Sequence, residues 1–320
     1  MKILAVQSKM GIGDTIIFLP FIKALSKKFN TPISLLAKES SKADQYLYQT
    51  DYIDKILILE RDKKLNDRHG GFFGSINLIR EIKNHSFNKI IIFNSSLRFN
   101  LIAKLSGIPE IYQYPLLQKD QQHIVDTPKK FLKEKFNLDT DEDPYIQIDN
   151  KSLSDAVKNF QINKNEMNIL LGIGGSGPTK RIPSKIFLKT IEKLTEIKKC
   201  KFFLATGKDH AEQIILNEIT QSKFKNICIP LDNLSIKEIL PIIKNCDFSI
   251  CNDTSFSHLS AALSVKTITL MADTPLIYGN YSSKMYPIIP DGENNVEHDT
   301  LGKDKIDPQK IFNKIIEIIN

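Results

Sequence analysis

Residues 167–197 read MNILLGIGGSGPTKRIPSKIFLKTIEKLTEI, and the fold class turns on this stretch. The apolar run MNILLGIG (167–174) is a strand, the glycine-rich GIGGSGPTKR (172–181) a loop, and SKIFLKTIEKLTEI (184–197) a helix with apolar residues at helical spacing. A strand apolar on both faces needs cover on both faces, which a helix returning from a glycine turn supplies. The same grammar continues downstream. CKFFLATG (200–207), NICIPL, DFSICN and KTITLMA are further strands, with DHAEQIILNEIT and SHLSAALS as helices among them.

Upstream the pattern has already run once. KILAVQ (2–7), PISLLAK (32–38), KILIL (55–59) and KIIIFN (89–94) read as strands. TIIFLPFIKALSKKF (15–29) is a helix with Pro20 near its start or at a kink, and GSINLIREIKNH (74–85) a helix with Ile76, Ile79 and Ile82 on one face. Between the halves, LDTDEDPYIQIDNKSLSDAVKNFQINKNE (138–166) is polar and holds an acidic cluster and a proline, so the junction falls there. The expected organisation is an α/β chain of two doubly wound domains, 1–155 and 156–306. A terminal amphipathic helix, 307–320, is expected to pack back on the first. Ligands of such sheets bind beyond the carboxyl ends of the strands, at a cleft between the two domains.

Composition narrows the class. The chain has 320 residues, 41% hydrophobic and 25% charged, which is globular rather than disordered. The first apolar run is too short for a secretory signal, and no run is long enough to span a bilayer. Four cysteines (Cys200, Cys228, Cys246, Cys251) form no CxxC pair, so free thiols in a reducing cytoplasm are expected, with no metal site. The net charge of +7 favours an anionic partner, either an acidic substrate or a membrane face. The excess is scattered lysine without an aromatic-interleaved stripe, which argues against nucleic acid.

The motifs cluster at strand ends. KMGIGDTIIFLP (9–20) places Gly11, Gly13 and Asp14 after the first strand. A dinucleotide fingerprint would need a third glycine where Ile16 stands, and no Walker lysine follows. Asp14 is then either a helix N-cap or a carboxylate that does chemistry. In the second half, Gly175 and Ser176 lie in a loop whose N–H groups can approach a phosphate, and Lys180 and Arg181 bring positive charge. In NDTSFSHLSAAL (252–263), Asp253 or Thr254 caps a helix whose buried stripe is Phe256, Leu259 and Leu263. Thr254 and His258 share a face there. Asp209, in ATGKDHAE (205–212), is either a ribose contact or another cap. The polar RDKKLNDRHGG (61–71) is either a solvated loop or an acceptor contact.

Together these stretches resemble the heptosyltransferase family, glycosyltransferase family 9. KMGIGDTIIFLPFIKAL resembles its N-terminal Gly-Asp helix motif with the internal proline, and GSGPTKRIPSKIF its donor-phosphate loop. FLATGKDHAE is similar to its strand with Gly and an acidic residue. NDTSFSHLSAAL with ITLMADTP resembles its Asp-Thr-Gly…His-Leu-x-Ala-Ala-Leu and the strand and loop after it. The likeness runs in order along nearly the whole chain. It implies the GT-B fold, two Rossmann-like domains facing across a cleft, the first binding the acceptor and the second a nucleotide sugar.

By that resemblance Asp14 is the catalytic base, with Gly11 and Gly13 forming its loop on the acceptor side. Gly175, Ser176, Lys180, Arg181, Asp209, Asp253, Thr254, Ser255 and His258 then bind the donor. The implied reaction is an inverting, metal-independent transfer of a sugar, heptose from ADP-heptose, to a lipopolysaccharide core or related glycan acceptor. No cofactor is implied beyond the nucleotide-sugar substrate. The implied location is cytoplasmic, peripheral at the inner membrane. Two departures bear on the donor. Ser255 stands where the family has glycine, and Met271-Ala272-Asp273-Thr274-Pro275 replaces Phe-Gly-x-Thr-x-Pro. They keep open an alternative, a nucleotide-sugar-binding member with another donor sugar or without transferase activity.

Overall fold

The apolar runs at the middle of each sheet become strands whose residues are buried on both faces. The computed structural model describes residues 1–9, 11–61, 67–116 and 123–319. In the first unit the order is β1 (Ile3–Gln7), α1 (Ile12–Phe29), β2 (Ile33–Lys38), α2 (Ala43–Tyr46), β3 (Ile53–Leu59), α3 (Gly71–His85), β4 (Lys89–Ile92), α4 (Leu97–Leu105), β5 (Glu110–Gln113) and α5 (Asp126–Phe136). The second unit begins with α6 (Asn150–Asn159), β6 (Met167–Gly172), α7 (Ser184–Ile197), β7 (Cys200–Ala205), α8 (His210–Thr220), β8 (Cys228–Pro230) and α9 (Ile236–Lys244). It continues with β9 (Phe248–Asn252), α10 (Ser255–Ala262), β10 (Lys266–Leu270), α11 (Ile277–Asn280), β11 (Met285–Ile288) and α12 (Pro308–Ile319).

Both sheets are parallel. The first has the order β3-β2-β1-β4-β5 and the second β11-β10-β9-β6-β7-β8. In the first unit, Leu4, Val6, Ile90 and Ile92 of the sheet pack with Leu78 and Ile82 of α3 and with Phe99, Ile102 and Ala103 of α4. The inner face of α3 is therefore Gly74, Leu78 and Ile82, with Ile79 alongside. Ile76 of the expected stripe is only half-buried. Pro20 lies inside α1, and the helix continues through it.

The chain divides into Met1–Gln147 and Ile148–Asn320. The division comes a few residues before the expected one because α6 packs on α9 of the second unit. Helix α12 stays within that unit as well. It lies on α7 and β10, burying Ile311, Ile315 and Ile318 in the cluster that contains Ile169, Phe187 and Ile191. Full burial of an isoleucine contributes about 1.5–3 kcal/mol, so this amphipathic face fixes α12 there. All four cysteines are free and buried. No described helix is long and apolar enough to cross a membrane.

Candidate active site

Each sheet reverses direction once, and the reversals position the candidate residues. In the first, the chain lays β2 and β3 on one side of β1 and then returns to place β4 on the other. In the second, β7 and β8 extend from β6 before β9 returns to its opposite side. Loops leaving the carboxyl ends of the two strands at such a point diverge to opposite faces, which leaves room for a ligand.

At the β1/β4 reversal, Gly11 is the N-cap of α1 at φ 97°, a backbone state that favours glycine. No side chain caps this helix, which removes the reading of Asp14 as its N-cap. Asp14 lies in the first turn instead, half-buried. A Cβ on Gly11 would stand 3.6 Å from Asp14 Oδ2, so the carboxylate lies over the turn that Gly11 makes, and Gly13 is the helix's second residue. Buried Gln7 braces the turn. Its Nε2 donates to the Asp14 carbonyl at 3.2 Å, and its Oε1 accepts from the Lys9 N–H at 2.5 Å. From the β4 side, Asn94 Nδ2 donates to Ser8 Oγ at 3.0 Å.

Beside this edge, Arg98 at the start of α4 donates from its Nε to Ser75 Oγ (2.9 Å) and from a terminal nitrogen to the His69 carbonyl (2.5 Å). His69 is fully buried; its Nδ1 accepts from the Glu60 N–H, and its Nε2 lies 3.2 Å from Glu81. Burial lowers its pKa more than Glu81 raises it. Residues 62–66 of the expected acceptor loop lie outside the described residues; Arg68 in the same loop pairs with Glu60 and Glu81. The acidic run at 141–143 is tied into the first unit. Glu142 meets Lys23 and Lys27, and Asp141 meets Lys129.

At the β6/β9 reversal the second unit assembles a denser group. The glycine loop after β6 is held from three sides. Asn252, at the end of β9, donates from Nδ2 to the carbonyls of Ile173 and Gly174, both at 2.9 Å. Buried Glu212 of α8 accepts the Gly175 N–H at 2.6 Å, and a Cβ on Gly174 would come within 2.7 Å of its Oε1. Arg181 Nε donates to the Gly175 carbonyl at 2.9 Å, while its guanidinium pairs with Asp209 at 3.2 Å. Ser176 sits exposed at the tip.

Lys180 reaches across from this loop to Asp253, Nζ to Oδ2, at 2.8 Å. His258, on the first turns of α10, lies 3.8 Å from the other carboxylate oxygen and meets the Tyr281 hydroxyl at 2.8 Å, ring stacked on ring. Burial raises the Asp253 carboxyl, but His258 and Lys180 outweigh it and hold the group below the usual carboxylate range. Burial holds His258 below its ordinary value, against the pull of Asp253. The cluster at neutral pH is thus a carboxylate, an ammonium and a neutral imidazole.

Of the two capping alternatives, Thr254 is the one used: its Oγ1 accepts the Phe256 N–H at 3.1 Å, which leaves Asp253 for Lys180. Ser255 opens the helix half-buried, and from Phe256 to Leu263 every residue is buried, the expected Phe256, Leu259 and Leu263 among them. His258 is buried rather than solvated. Asp209 caps α8, accepting the Ala211 N–H at 3.0 Å, and also meets Arg181. Asp273, in the loop after β10, accepts the Leu301 N–H at 2.8 Å and bonds the Thr179 side chain beside Lys180. Sequence reasoning passed over Glu212 and Tyr281. The glutamate three residues after a capping aspartate was a usable signal for the first; nothing local marks the second.

Known proteins share this fold. The sequence model of glycosyltransferase family 9 (heptosyltransferase) matches residues 77–289. Lipopolysaccharide heptosyltransferase 1 of Campylobacter coli is 24% identical, covering 93% of this chain and 92% of its own. Among solved structures, the family 9 glycosyl transferase of Veillonella parvula superposes with a TM-score of 0.81 at 17% identity, over 99% of this chain and 97% of its own. E. coli ADP-heptose LPS heptosyltransferase II gives 0.74 at 16% identity, over 100% and 98%. Likeness at such identity shows the fold, the pair of parallel α/β sheets of GT-B glycosyltransferases. The family match covers well over half of the chain, and the chain belongs to glycosyltransferase family 9, the heptosyltransferases.

Proposed function

We propose that this glycosyltransferase moves heptose from ADP-heptose to a lipopolysaccharide core or related glycan acceptor, with inversion and without a metal. The observation that carries the reading is Lys180 held over the glycine loop by buried Asp253. The second unit then takes the nucleotide sugar. Lys180 and the loop N–H groups face its diphosphate, and the Gly175–Ser176 turn, Arg181, Asp209, Thr254, Ser255 and His258 shape the rest of the donor site. As the glycosidic bond breaks, negative charge grows on the leaving diphosphate, and a fixed ammonium stabilises it there in place of a divalent cation. Asp141 and Glu142 of the acidic run, already paired with lysines, take no part.

Asp14 is the base. It takes the proton of the acceptor hydroxyl as that oxygen attacks the anomeric carbon from the face opposite the diphosphate, so the configuration inverts. A positioned base is worth roughly 10²–10⁴-fold. With Arg68 neutralised by Glu60 and Glu81, Arg61 and Arg98 leave the adjoining edge of the first unit cationic, which suits an anionic glycan acceptor. The names of the relatives, a lipopolysaccharide heptosyltransferase and an ADP-heptose enzyme, support the same acceptor and donor. An enzyme working on such an acceptor acts at the cytoplasmic face of the inner membrane.

The test is nucleoside diphosphate release from a panel of ADP-, UDP- and GDP-sugars with a deacylated core acceptor, followed by determination of the product's anomeric configuration. ADP release with ADP-heptose and an inverted product is expected; retention, or turnover only with another donor, would replace the reading. A second reading keeps the fold and changes the donor sugar. Ser255 and Asp273 favour it. Ser255 places a side chain where the family has glycine, and Asp273 fastens the 271–275 loop to Leu301 and Thr179.

A further inference from the structure

Helices α3 and α4 leave an apolar outer face uncovered in the first unit. Leu97, Leu101 and Leu105 follow one another at i, i+4 and i+8 along α4 and are 57%, 48% and 66% exposed. The opposite side of the same helix, Phe99, Ile102 and Ala103, is buried on the sheet, so α4 carries apolar residues on both its inner and its outer side. At the start of α3, Phe72 and Phe73 are 76% and 80% exposed, their rings edge to face. The Arg98–Ser75 and Ser106–Ile79 hydrogen bonds hold the two helices side by side with their starts together. Single exposed leucines need no explanation, but five large apolar side chains on two adjoining helices do.

The charge around the face selects its partner. Among the described residues from Arg61 to Leu105 seven are Lys or Arg and two Asp or Glu, and a second copy of this chain would bring the same cationic face against it. Helix α4 has no acid, and the one acid of α3, Glu81, is held by Arg68 and His69. Arg80, Lys83 and Lys104 are exposed beside the apolar stripe. Apolar side chains ringed by cations match a layer of acyl chains beneath anionic headgroups.

We propose that this face docks on the surface of an anionic phospholipid bilayer. Phe72, Phe73, Leu97, Leu101 and Leu105 enter the boundary between headgroups and acyl chains, and Arg80, Lys83 and Lys104 lie against lipid phosphates. The inference rests in part on the function proposed above, since a lipid-borne acceptor is presented in such a surface. The starts of α3 and α4 lie at the carboxyl edge of the first sheet, so docking there brings Asp14's end of the unit toward the lipid.

The test is sedimentation of the full chain with vesicles of phosphatidylethanolamine and phosphatidylglycerol, and with phosphatidylcholine vesicles, at about 0.1 M and several-fold higher salt. Binding to the anionic vesicles, weakened by salt and at least about tenfold weaker to phosphatidylcholine, is expected. Phe72→Ser/Phe73→Ser, Leu97→Ser/Leu101→Ser/Leu105→Ser and, separately, Lys83→Glu/Lys104→Glu should each lower it about tenfold or more, with circular dichroism unchanged. Transfer to a vesicle-borne acceptor should fall with it, while transfer to a deacylated, soluble acceptor stays intact. Vesicle binding that all three variants leave unchanged overturns the proposal. So does a face that serves only to join two copies, seen as a dimer by light scattering that the serine variants abolish, with no vesicle binding. If the protein transfers sugar to no acceptor but these variants still lose the vesicles, the function reading fails and the docking surface stands.

Discussion

Lys180 Nζ lies 2.8 Å from Asp253 Oδ2, a pair that joins the loop after β6 to the loop after β9 where the second sheet reverses. Asp253 is buried while Lys180 keeps part of its surface in water, so the two members are not equivalent. Removing the lysine leaves a buried carboxylate without its cation. Removing the aspartate frees a lysine that water can still reach.

This asymmetry sets the first prediction. Lys180→Met should destabilise the protein by roughly 1–3 kcal/mol, below the cost of breaking a fully buried pair because Lys180 is partly solvated. Asp253→Asn should cost less, and the double variant less than the sum. Urea unfolding of the four proteins measures the coupling; strict additivity would show that the pair contributes nothing. In the same series Lys180→Met should weaken donor nucleotide binding about 10–100-fold, the worth of one charge-assisted hydrogen bond. An unchanged dissociation constant would remove the lysine from the phosphate.

Asp14 carries the second prediction. Asp14→Asn keeps the shape of the first turn of α1, whose N-cap is Gly11, so stability should change by less than about 1 kcal/mol. Turnover should drop about 10²–10⁴-fold with the donor dissociation constant unaltered. Transfer at a tenth of the wild-type rate or better would leave Asp14 as a helix-dipole partner only. Isothermal titration and a coupled diphosphate-release assay separate the two quantities.

How far the sequence anticipated this follows from the range of each interaction. Helix α7 was readable to the residue and strand β6 to within two residues at its end, because both are set by local periodicity and by the glycines between them. The burial of Phe256, Leu259 and Leu263 was readable for the same reason, but the structure buries α10 on every side and not along that stripe alone. Asp14 was open to misreading as a cap, since Asp after glycine is a common N-cap and only the positive φ of Gly11 moves the helix start earlier. The inner face of α3 was displaced by about one residue, because Ile76 and Leu78 both fit a helical spacing and the packed sheet decides between them. Glu212 and Tyr281 reach their partners across 37 and 23 residues, beyond any local pattern.

Glu212 gives a third prediction, since it holds the glycine loop without facing its mouth. Its Oε1 accepts the Gly175 N–H at 2.6 Å. Glu212→Gln keeps an acceptor oxygen and should retain near wild-type donor affinity. Glu212→Ala leaves that buried N–H unpaired, costing about 1–3 kcal/mol and loosening the loop, with donor affinity falling about tenfold. Hydrogen exchange at Gly174–Ser176 provides the structural readout. Equal protection in wild type and Glu212→Ala would show that the loop is fixed by Asn252 and Arg181 without it.

His258 supplies the last prediction, in pH dependence. Burial holds its pKa below 6.5 in the folded protein, more strongly than Asp253 raises it. The folded state therefore favours the neutral ring, and the unfolded chain binds the proton more tightly. The resulting stability is fully present above about pH 6.5 and is lost as pH falls from there through the folded value. His69 is also buried and lowered, so it contributes in the same window. His258→Asn should flatten part of the decline in melting temperature between about pH 7 and 5, and His258→Asn/His69→Asn more of it. Asp253, held below 3.8, adds its own loss only at more acidic pH, so it does not obscure the histidine slope. Melting curves of His258→Asn that parallel the wild type across that range would mean the imidazole titrates alike in the folded and unfolded chains, and a steeper decline in the variant would mean that the folded protein holds it charged, facing Asp253 as a cation.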